Sequence, residues 1–460
     1  MLDAIRWDTD LIRRYKEAGP RYNTYPGEKQ FLSGVSSFDL LHALRDSNKA
    51  KRPLSLYVHL PFCANLCYYC TSNKVITKDR GRARPYLEHL EKEIALVAHH
   101  LGPQQRVEQL YLGGGTPTFL SHDELRHLMA CLREHFPLLD DDSGDYGIEI
   151  DPREADWPTM GLLRELGFNR ASLSVQALDP EVQLAVNRLQ SLEQTRTIIE
   201  AARTLQYRSI NVDLLYGLPK QTPERFARTV AAIIGLQPDR VSIFNYEHRP
   251  ELFIAQRRIN SEDLPGSEYT LEMLHNAIEQ LTAAGYRYIG MSQFVLPDDE
   301  LAMAQEDGAL QYGLQGYTTH GHCDLIGLGV CAISEIGNLH SQNHCDLNAY
   351  QQSLDNQQLP TQRGLKCTTD DRLRRTVIQS LLCSFELDFT SLKKNHDIDF
   401  KEYFADTWES LKQMAEQGIL ELTAQRIEIL PAGRLLVHSV CELFDRYTTQ
   451  PDKLPAYSIS

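Results

Sequence analysis

Between residues 54 and 244 the sequence alternates short apolar runs with amphipathic stretches, and this alternation constrains the fold more than any other feature. Apolar runs typical of buried strands cover 54–60, 107–112, 146–150, 170–175, 209–215 and 240–244. Helical patterning lies between them, near 84–100, 121–135, 156–166, 192–206 and 222–236. This spacing is that of βαβ units, so we predict an α/β fold with a parallel sheet and helices outside it, either open or curled. Six units are fewer than the eight of a closed barrel, which fits a partial barrel.

The rest of the chain follows other patterns. Residues 1–50 are polar and rich in turns, and we expect an N-terminal arm there, followed by the barrel over 51–300. We expect a connector over 301–365, in which the stretch 341–363 is rich in Gln and Asn. Helical patterning and two short strands, 419–422 and 426–430, predict a helical, winged C-terminal domain over 366–460.

Composition excludes several classes of function. The chain has 62 acidic and 47 basic residues, a net charge of -15, and no basic tract, so we expect no nucleic-acid partner. No apolar run approaches the ~20 residues that span a bilayer, and the first 20 residues lack the apolar region of a signal peptide. We therefore expect a soluble cytoplasmic protein with no membrane partner. Seven cysteines are scattered singly along the chain, namely Cys131, Cys323, Cys331, Cys345, Cys367, Cys383 and Cys441. In a reducing cytosol, most of them should be small, buried apolar residues.

The other three cysteines, Cys63, Cys67 and Cys70, lie within eight residues directly after the first predicted strand. A chance cluster of this density is improbable, and thiolates suit zinc or iron–sulfur clusters. Zinc normally takes four protein ligands, and His59 or a distant histidine could supply the fourth. A [4Fe–4S] cluster held by three cysteines would instead keep one iron open for a substrate or cofactor.

The C-x3-C-x2-C spacing after a first strand resembles the signature of the radical S-adenosylmethionine (SAM) superfamily. The resemblance implies that the open iron binds SAM and that an electron from the cluster generates a 5′-deoxyadenosyl radical, which abstracts a hydrogen atom from the substrate. A Gly-rich segment, 113–118, follows the second predicted strand. By itself it could be only a tight turn, but in the superfamily a similar segment binds the SAM amino group.

Further motifs occur in order along the chain and resemble those of the oxygen-independent coproporphyrinogen III oxidase family. They lie at 19–22, 57–63, 113–118, 149–153, 174–176, 186–188, 211–213, 216–219, 244–246, 297–301 and 316–319. The resemblance implies a partial (β/α)6 barrel with an N-terminal arm and a helical C-terminal domain. It also implies the anaerobic oxidative decarboxylation of two propionates of coproporphyrinogen III to the vinyl groups of protoporphyrinogen IX. The partners implied are a tetrapyrrole substrate and an electron donor for the cluster, and we expect a monomer.

The same resemblance assigns roles to individual residues. It implies that Cys63, Cys67 and Cys70 bind the cluster and that one or two SAM molecules bind beside it. Positions that match SAM contacts are Tyr57, Tyr69, Gly114, Gly115, Thr116, Glu149, Gln176, Arg188, Asp213, Glu247 and Ile333. Taken singly, Asp213 could cap a helix, Arg188 could form a surface ion pair and Tyr57 could belong to the core. Arg21 and Arg249 are cationic candidates for binding the propionates.

Four departures from the family pattern lie in its motifs. Ser72 stands where a fourth cysteine is usual, Glu247 replaces a small residue, and Ser292 with Gln293 replaces an Asp-His pair. The segment with His320, His322 and Cys323 replaces mostly Gln, Asp and Thr. We therefore keep three alternatives beside the oxidase: a radical SAM paralogue that methylates or modifies another tetrapyrrole, a non-catalytic haem-binding relative, and a structural zinc protein.

Overall fold

The six strands predicted between residues 54 and 244 are all present in a computed structural model of the chain, which describes residues 5–16 and 25–447. The motif at 19–22, including Arg21, lies outside the described residues. The chain divides into two units, and the described part of the second comprises 31–280 and 322–366. Within the second unit the six strands pair in parallel in chain order. We label them β1 (Leu54–Leu60), β2 (Val107–Gly114), β3 (Asp145–Ile150), β4 (Arg170–Gln176), β5 (Ser209–Tyr216) and β6 (Arg240–Asn245).

Helices connect these strands, as the alternating pattern predicts. Their bounds are Ala83–Ala98, His122–His135, Trp157–Glu165, Pro180–Ala185, Leu192–Thr204 and Pro223–Leu236, with Ser37–Ala50 before β1 and Ser267–Ala283 after β6. Ser121 illustrates how the sequence determines where a helix begins. Its side chain accepts a hydrogen bond from the Glu124 N–H, and the Glu124 carboxylate accepts one from the Ser121 N–H. The resulting βα series agrees with the predicted partial (β/α)6 barrel.

Alternation along the strands gives the sheet a polar inner face. On β4, Leu173 and Val175 are wholly buried, whereas Ser172, Ser174 and Gln176 between and beside them keep partial exposure. On β5, Asp213 alternates in the same way with buried neighbours. Because side chains on a strand point alternately to opposite faces, the polar set lines one accessible face of the sheet.

The segment 322–366 extends this sheet beyond the six predicted strands. A seventh strand, β7 (Asp324–Leu328), pairs in parallel with the free edge of β1. Antiparallel strands follow, with bounds Ile333–Ile336, Leu339–Asn343 and Thr361–Lys366, and the helix Leu347–Asp355 lies among them. The polar stretch 341–363, which we expected to be part of a connector, is therefore folded into strands and a helix at the edge of the sheet.

The first unit comprises 281–321 and the described parts of 1–30 and 367–453. Its helices are Thr9–Lys16, Glu300–Glu306, Thr369–Ser384, Phe389–His396, Phe400–Tyr403, Ala405–Glu416 and Val437–Glu442, and two hairpins pair Arg287–Gly290 with Gln293–Val295 and Gln311–Gly313 with Gly316–Thr318. The predicted pair of strands is present as Leu420–Leu422 and Arg426–Ile429, and a third strand, Glu386–Asp388, completes the small sheet. This confirms a helical, winged C-terminal domain, while the boundaries proposed for all four domains stay predictions. No helix among the described residues is both long and apolar enough to cross a membrane.

Candidate active site

The three-cysteine loop lies at the carboxyl end of β1, in the second unit. It begins with a short strand, Phe62–Cys63, that pairs with Val75–Ile76, and so the loop closes on itself. Within it the Cys70 N–H donates to the Cys67 carbonyl at 3.3 Å. Cys63, Cys67 and Cys70 are all free thiols, and Cys67 is the most buried of them. The loop therefore holds three soft donor groups at the end of the sheet where parallel α/β proteins bind ligands.

Polar side chains from segments that follow the neighbouring strands point at these sulfur atoms. The Thr116 hydroxyl donates to Cys63 Sγ at 3.6 Å, and guanidinium groups of Arg153 and Arg188 lie 3.7 and 3.6 Å from Cys67 Sγ. Burial raises the pKa of Cys63 to about 12, so this thiol is protonated at neutral pH until a metal displaces its proton. Two cationic donors beside Cys67 suit a negatively charged metal–thiolate group, and the residues present thus fit an iron–sulfur cluster.

A buried ion-pair group holds the two arginines in place. Arg188 Nη1 lies 2.9 Å from Asp151 Oδ2, and Arg153 Nη2 lies 2.6 Å from the same atom. Burial by itself would raise the pKa of Asp151, but Arg188 and Arg153 lower it to about 2, so the carboxylate is ionised. Arg188 also donates to the Ser174 carbonyl on β4. Asp151 follows β3 directly, so the group joins the ends of two strands to the cysteine loop.

His59, which could supply a fourth zinc ligand at this loop, has hydrogen-bond partners at both ring nitrogen atoms. Its Nε2 donates to the Asn73 carbonyl at 3.1 Å, because a carbonyl can only accept, and its Nδ1 accepts from the Tyr57 hydroxyl at 3.2 Å. Burial lowers the pKa of His59 to about 4, so it is neutral in this position.

The Gly-rich segment after β2 packs against the backbone that leads into the cysteine loop. The N–H groups of Gly115 and Thr116 donate to the carbonyls of Leu60 and Phe62, both at 2.8 Å. A Cβ on Gly115 would lie 2.7 Å from these two oxygen atoms, and Gly114 has a φ of 104°. The segment therefore needs glycine because it touches the start of the loop, and this contact positions Thr116 against Cys63.

Two carboxyl groups lie on the polar inner face. Glu149 on β3 accepts from the Gly114 N–H at 3.1 Å, and burial, with a smaller effect of Asp213, raises its pKa to about 8. Burial also raises the pKa of Asp213 on β5, against hydrogen bonds from Asn211 and its neighbours that lower it. The raised pKa favours the protonated form of Glu149, which can donate as well as accept a hydrogen bond, and this suits hydroxyl or amine groups of a ligand.

Two amide oxygen atoms at the ends of strands of this sheet are buried and have no hydrogen-bond partner among residues 5–16 and 25–447. They are Gln176 Oε1 at the end of β4 and Asn245 Oδ1 at the end of β6. Gln176 also has a positive φ of 70°, which is strained for a residue other than glycine. Buried polar groups are almost always satisfied, so both oxygen atoms are suited to receive donors of a bound molecule.

The remaining predicted residues surround the same end of the sheet. Tyr57 on β1 stacks beside Tyr111, with ring centroids 6.4 Å apart, and Ile333 is buried on the strand next to β7. Tyr69 packs against an apolar cluster that includes Val186 and Tyr246. Glu247 follows β6 and is exposed, so it is the least enclosed of the set.

The structure also identifies residues to which the sequence assigned no role. Asp151 lies inside a recognised motif, 149–153, but its partner Arg188 is distant in sequence, so only the fold reveals the pair. The Asn73 carbonyl accepts a hydrogen bond from His59, and the Asn73 side-chain amide donates one to the Cys345 carbonyl. Glu93 is a buried acid in a helix, and no motif marks it.

Several of the departures and scattered cysteines can be placed. The Ser72 carbonyl accepts from Lys74 Nζ at 3.3 Å. Cys331 and Cys345 form a disulfide bond, whereas we expected both to be unpaired buried residues. Of the scattered cysteines, Cys131, Cys367, Cys383 and Cys441 are free and buried, as expected, whereas Cys323 is free and only partly buried. Ser292, Gln293 and His320 belong to the first unit, whereas His322 and Cys323 belong to the second.

Comparisons with known proteins identify close relatives over the whole chain. The radical SAM superfamily model matches residues 57–233, and the HemN C-terminal domain model matches residues 367–436. The chain is 66% identical over 447 residues to an oxygen-independent coproporphyrinogen III oxidase of Pseudomonas aeruginosa, with 97% of each chain covered. It is 43% identical over 454 residues to that of Escherichia coli, covering 99% of this chain and 98% of the other. A solved structure of coproporphyrinogen III oxidase (HemN) from Escherichia coli, a radical SAM enzyme, has a TM-score of 0.92 at 42% identity and covers 96% of this chain and 100% of that one.

Proposed function

The chain belongs to the oxygen-independent coproporphyrinogen III oxidase family of radical SAM enzymes, and we propose that it converts coproporphyrinogen III to protoporphyrinogen IX without oxygen. In this reaction two propionate side chains each lose carbon dioxide and a hydrogen and become vinyl groups. The family and the mixed α/β fold predicted from sequence are confirmed. Membership implies a [4Fe–4S] cluster, SAM, a tetrapyrrole substrate and a reductant for the cluster.

The observation that carries the proposal is the loop of three free thiols at the end of β1, with Thr116, Arg153 and Arg188 directed at its sulfur atoms. Cys63, Cys67 and Cys70 would hold the cluster. When bound, the cluster and SAM supply the one-electron chemistry that removes a hydrogen atom from a propionate chain.

The other residues of this end of the sheet would bind and orient. The Nη atoms of Arg188 would hold Cys67 and Asp151 in place, because they contact Cys67 Sγ, the Asp151 carboxylate and the Ser174 carbonyl. Its Nε is buried with no partner among the described residues and would be available to SAM. Glu149 and Asp213 would face the hydroxyl or amine groups of SAM. The further SAM contacts that we propose are Tyr57, Tyr69, Gly114, Gly115, Thr116, Gln176, Glu247 and Ile333.

Gln176 provides a test of this assignment, since its buried Oε1 lacks a partner in the described structure. We expect Gln176→Ala to raise the Kd for SAM by about tenfold, which corresponds to about 1.4 kcal/mol, a typical net value for one hydrogen bond. Isothermal titration of the reconstituted protein with SAM measures this. Gln237→Ala, at another positive-φ glutamine after the helix Pro223–Leu236, is the control and should leave the Kd unchanged. Equal affinities for wild type and Gln176→Ala would refute the contact.

The overall function is tested by product analysis under anaerobic conditions. The reconstituted protein receives SAM, a reductant, coproporphyrinogen III and cell extract as electron acceptor, and the porphyrins are separated after oxidation. We expect mono- and divinyl products from wild type and none from Cys67→Ser. If 5′-deoxyadenosine forms without vinyl products, the substrate is another tetrapyrrole, and the paralogue alternative, which Ser72, Glu247 and Gln293 favour, replaces the oxidase. If neither product forms although the cluster is complete, the haem-binding alternative replaces it.

Three finer points are part of the proposal. We expect a second SAM molecule next to the first, near Glu247, and equilibrium dialysis with labelled SAM would contradict this if it reached only one equivalent per chain. We expect a monomer in sedimentation experiments. We also expect the protein in the cytoplasmic fraction of its cell, where the reductant for the cluster is available.

A further inference from the structure

Three different metal-binding side chains converge away from the cysteine loop. Glu108 is the second residue of β2, and His322 and Cys323 directly precede β7. His322 Nε2 lies 2.8 Å from Glu108 Oε2, and Cys323 Sγ lies 3.7 Å from the same oxygen. Their donor atoms all lie within 4.8 Å of one another, and no other group of three or more His, Cys, Asp or Glu donors does so within residues 5–16 and 25–447.

This group lies at the opposite end of the sheet from the active site. β1 separates β2 from β7, and its first residue, Leu54, is aligned with both Val107 and Asp324. The group is therefore at the amino ends of three parallel strands, whereas Cys63 follows the carboxyl end of β1. Residues at this end of such a sheet contribute to stability rather than to the reaction.

The distances suit a zinc ion with little rearrangement. Zn–S bonds of about 2.3 Å and Zn–N or Zn–O bonds of about 2.1 Å at a tetrahedral angle separate sulfur from oxygen by about 3.6 Å and nitrogen from oxygen by about 3.4 Å. The Cys323–Glu108 separation already agrees, and the His322–Glu108 hydrogen bond would lengthen by about 0.6 Å. Thiolate, imidazole and carboxylate ligands together suit zinc better than the hard cations, and the two anionic ligands balance its charge.

The surroundings permit entry of an ion and leave one coordination position open. The side chains of His322 and Glu108 are 53% and 33% exposed, so solvent reaches the group. Asp324 does not complete it, because its Oδ2 pairs with Arg52 at 2.7 Å and its Oδ1 accepts from the Gly337 N–H at 3.0 Å. Water would therefore occupy the fourth position.

We propose that Glu108, His322 and Cys323 form a zinc site that joins the amino ends of β2 and β7 across β1. His322 and Cys323 are among the residues by which this chain departs from the pattern of its family. The bound ion stabilises the edge of the sheet that the segment 322–366 completes, and it takes no part in the reaction.

The test uses the full chain with its iron–sulfur cluster complete. After equilibration with zinc sulfate and dialysis, we expect about one zinc per chain beside the iron of the cluster, with zinc K-edge absorption showing one sulfur at about 2.3 Å and nitrogen or oxygen neighbours at about 2.1 Å. His322→Gln should weaken zinc binding at least about 100-fold, and Cys323→Ser should remove the sulfur neighbour. His320→Gln changes the other histidine of the segment and should keep both zinc and sulfur.

Each outcome decides the proposal. If wild type retains no more zinc than His322→Gln, the group is only an ion pair beside a thiol, and the proposal is wrong. If the absorption spectrum shows three sulfur neighbours, zinc occupies the cysteine loop instead, which also overturns it. Both variants are at partly exposed positions, and circular dichroism will show that they fold; wild type should gain thermal stability with zinc, whereas His322→Gln should not.

Discussion

Replacing Glu93 with glutamine should change how the stability of this protein depends on pH. Glu93 lies on the helix Ala83–Ala98 and is 2% exposed. Its carboxylate accepts hydrogen bonds from the Gly329 N–H at 2.7 Å, Asn343 Nδ2 at 2.6 Å and the Tyr350 hydroxyl at 2.6 Å. These three donors belong to the segment 322–366, so Glu93 attaches that segment to a helix of the βα series.

The magnitude follows from the ionisation of this buried acid. Burial raises the pKa of Glu93 from 4.5 to about 7, although its three hydrogen bonds act in the opposite direction. A raised carboxyl pKa means that the folded state binds the proton more tightly than the unfolded state. Stability is therefore greatest below the unfolded pKa and falls as pH rises towards 7, by about 3 kcal/mol in full, and most of that loss lies between pH 5 and pH 8.

Urea unfolding of wild type and Glu93→Gln at pH 5, 6, 7 and 8, followed anaerobically by tryptophan fluorescence, measures this effect. Subtracting the two unfolding free energies cancels the titration of all other groups. The introduced glutamine would direct an amide donor at one of the three donors that now meet the carboxylate, which costs about 1–3 kcal/mol at every pH. The variant should thus be less stable at pH 5, and the gap should shrink by about 2–3 kcal/mol by pH 8. A gap that is constant across this range would refute the raised pKa.

Two further changes test the supports of the cysteine loop. Gly115→Ala places a Cβ 2.7 Å from the Leu60 carbonyl oxygen and should cost about 1–3 kcal/mol in thermal unfolding, whereas Gly161→Ala, where nothing lies within 4 Å, should gain about 0.5–1 kcal/mol as a helical control. Equal effects at the two glycines would contradict the packing argument. Asp151→Asn leaves Arg188 buried without its counter-charge, so we expect a loss of about 3–5 kcal/mol in urea unfolding and less iron per chain after reconstitution. Unchanged stability and iron content would show that the pair supports nothing.

The features that could be predicted from sequence are those encoded locally. β1 was predicted with its observed bounds, because a run of apolar and β-branched residues ends there at Pro61. The three cysteines were recognisable because their spacing within one loop is itself the signal. The helix after Ser121 was recognisable because its apolar residues repeat with helical period.

The features that could not be predicted depend on contacts between distant residues. β7 is short, and its place in the sheet depends on pairing with β1, which is distant in sequence. The stretch 341–363 forms strands and a helix although it is polar, because its buried polar side chains find hydrogen-bond partners in distant parts of the chain. Asn343, for example, donates to the Glu93 carboxylate. The pairing of Arg188 with Asp151 likewise joins residues 37 positions apart.

The position of β1 in the sheet has a consequence for synthesis of the chain on the ribosome. One edge of β1 finds its partner β2 about 50 residues later, but the other edge waits for β7, about 270 residues later. At ~5–20 residues per second, that interval lasts about 14 to 54 seconds. Throughout it, an apolar strand exposes unpaired backbone N–H and C=O groups, which can pair with strands of other nascent chains. Slower translation beyond residue 245 should therefore increase aggregation of this protein, and chaperones that cover exposed strands should reduce it.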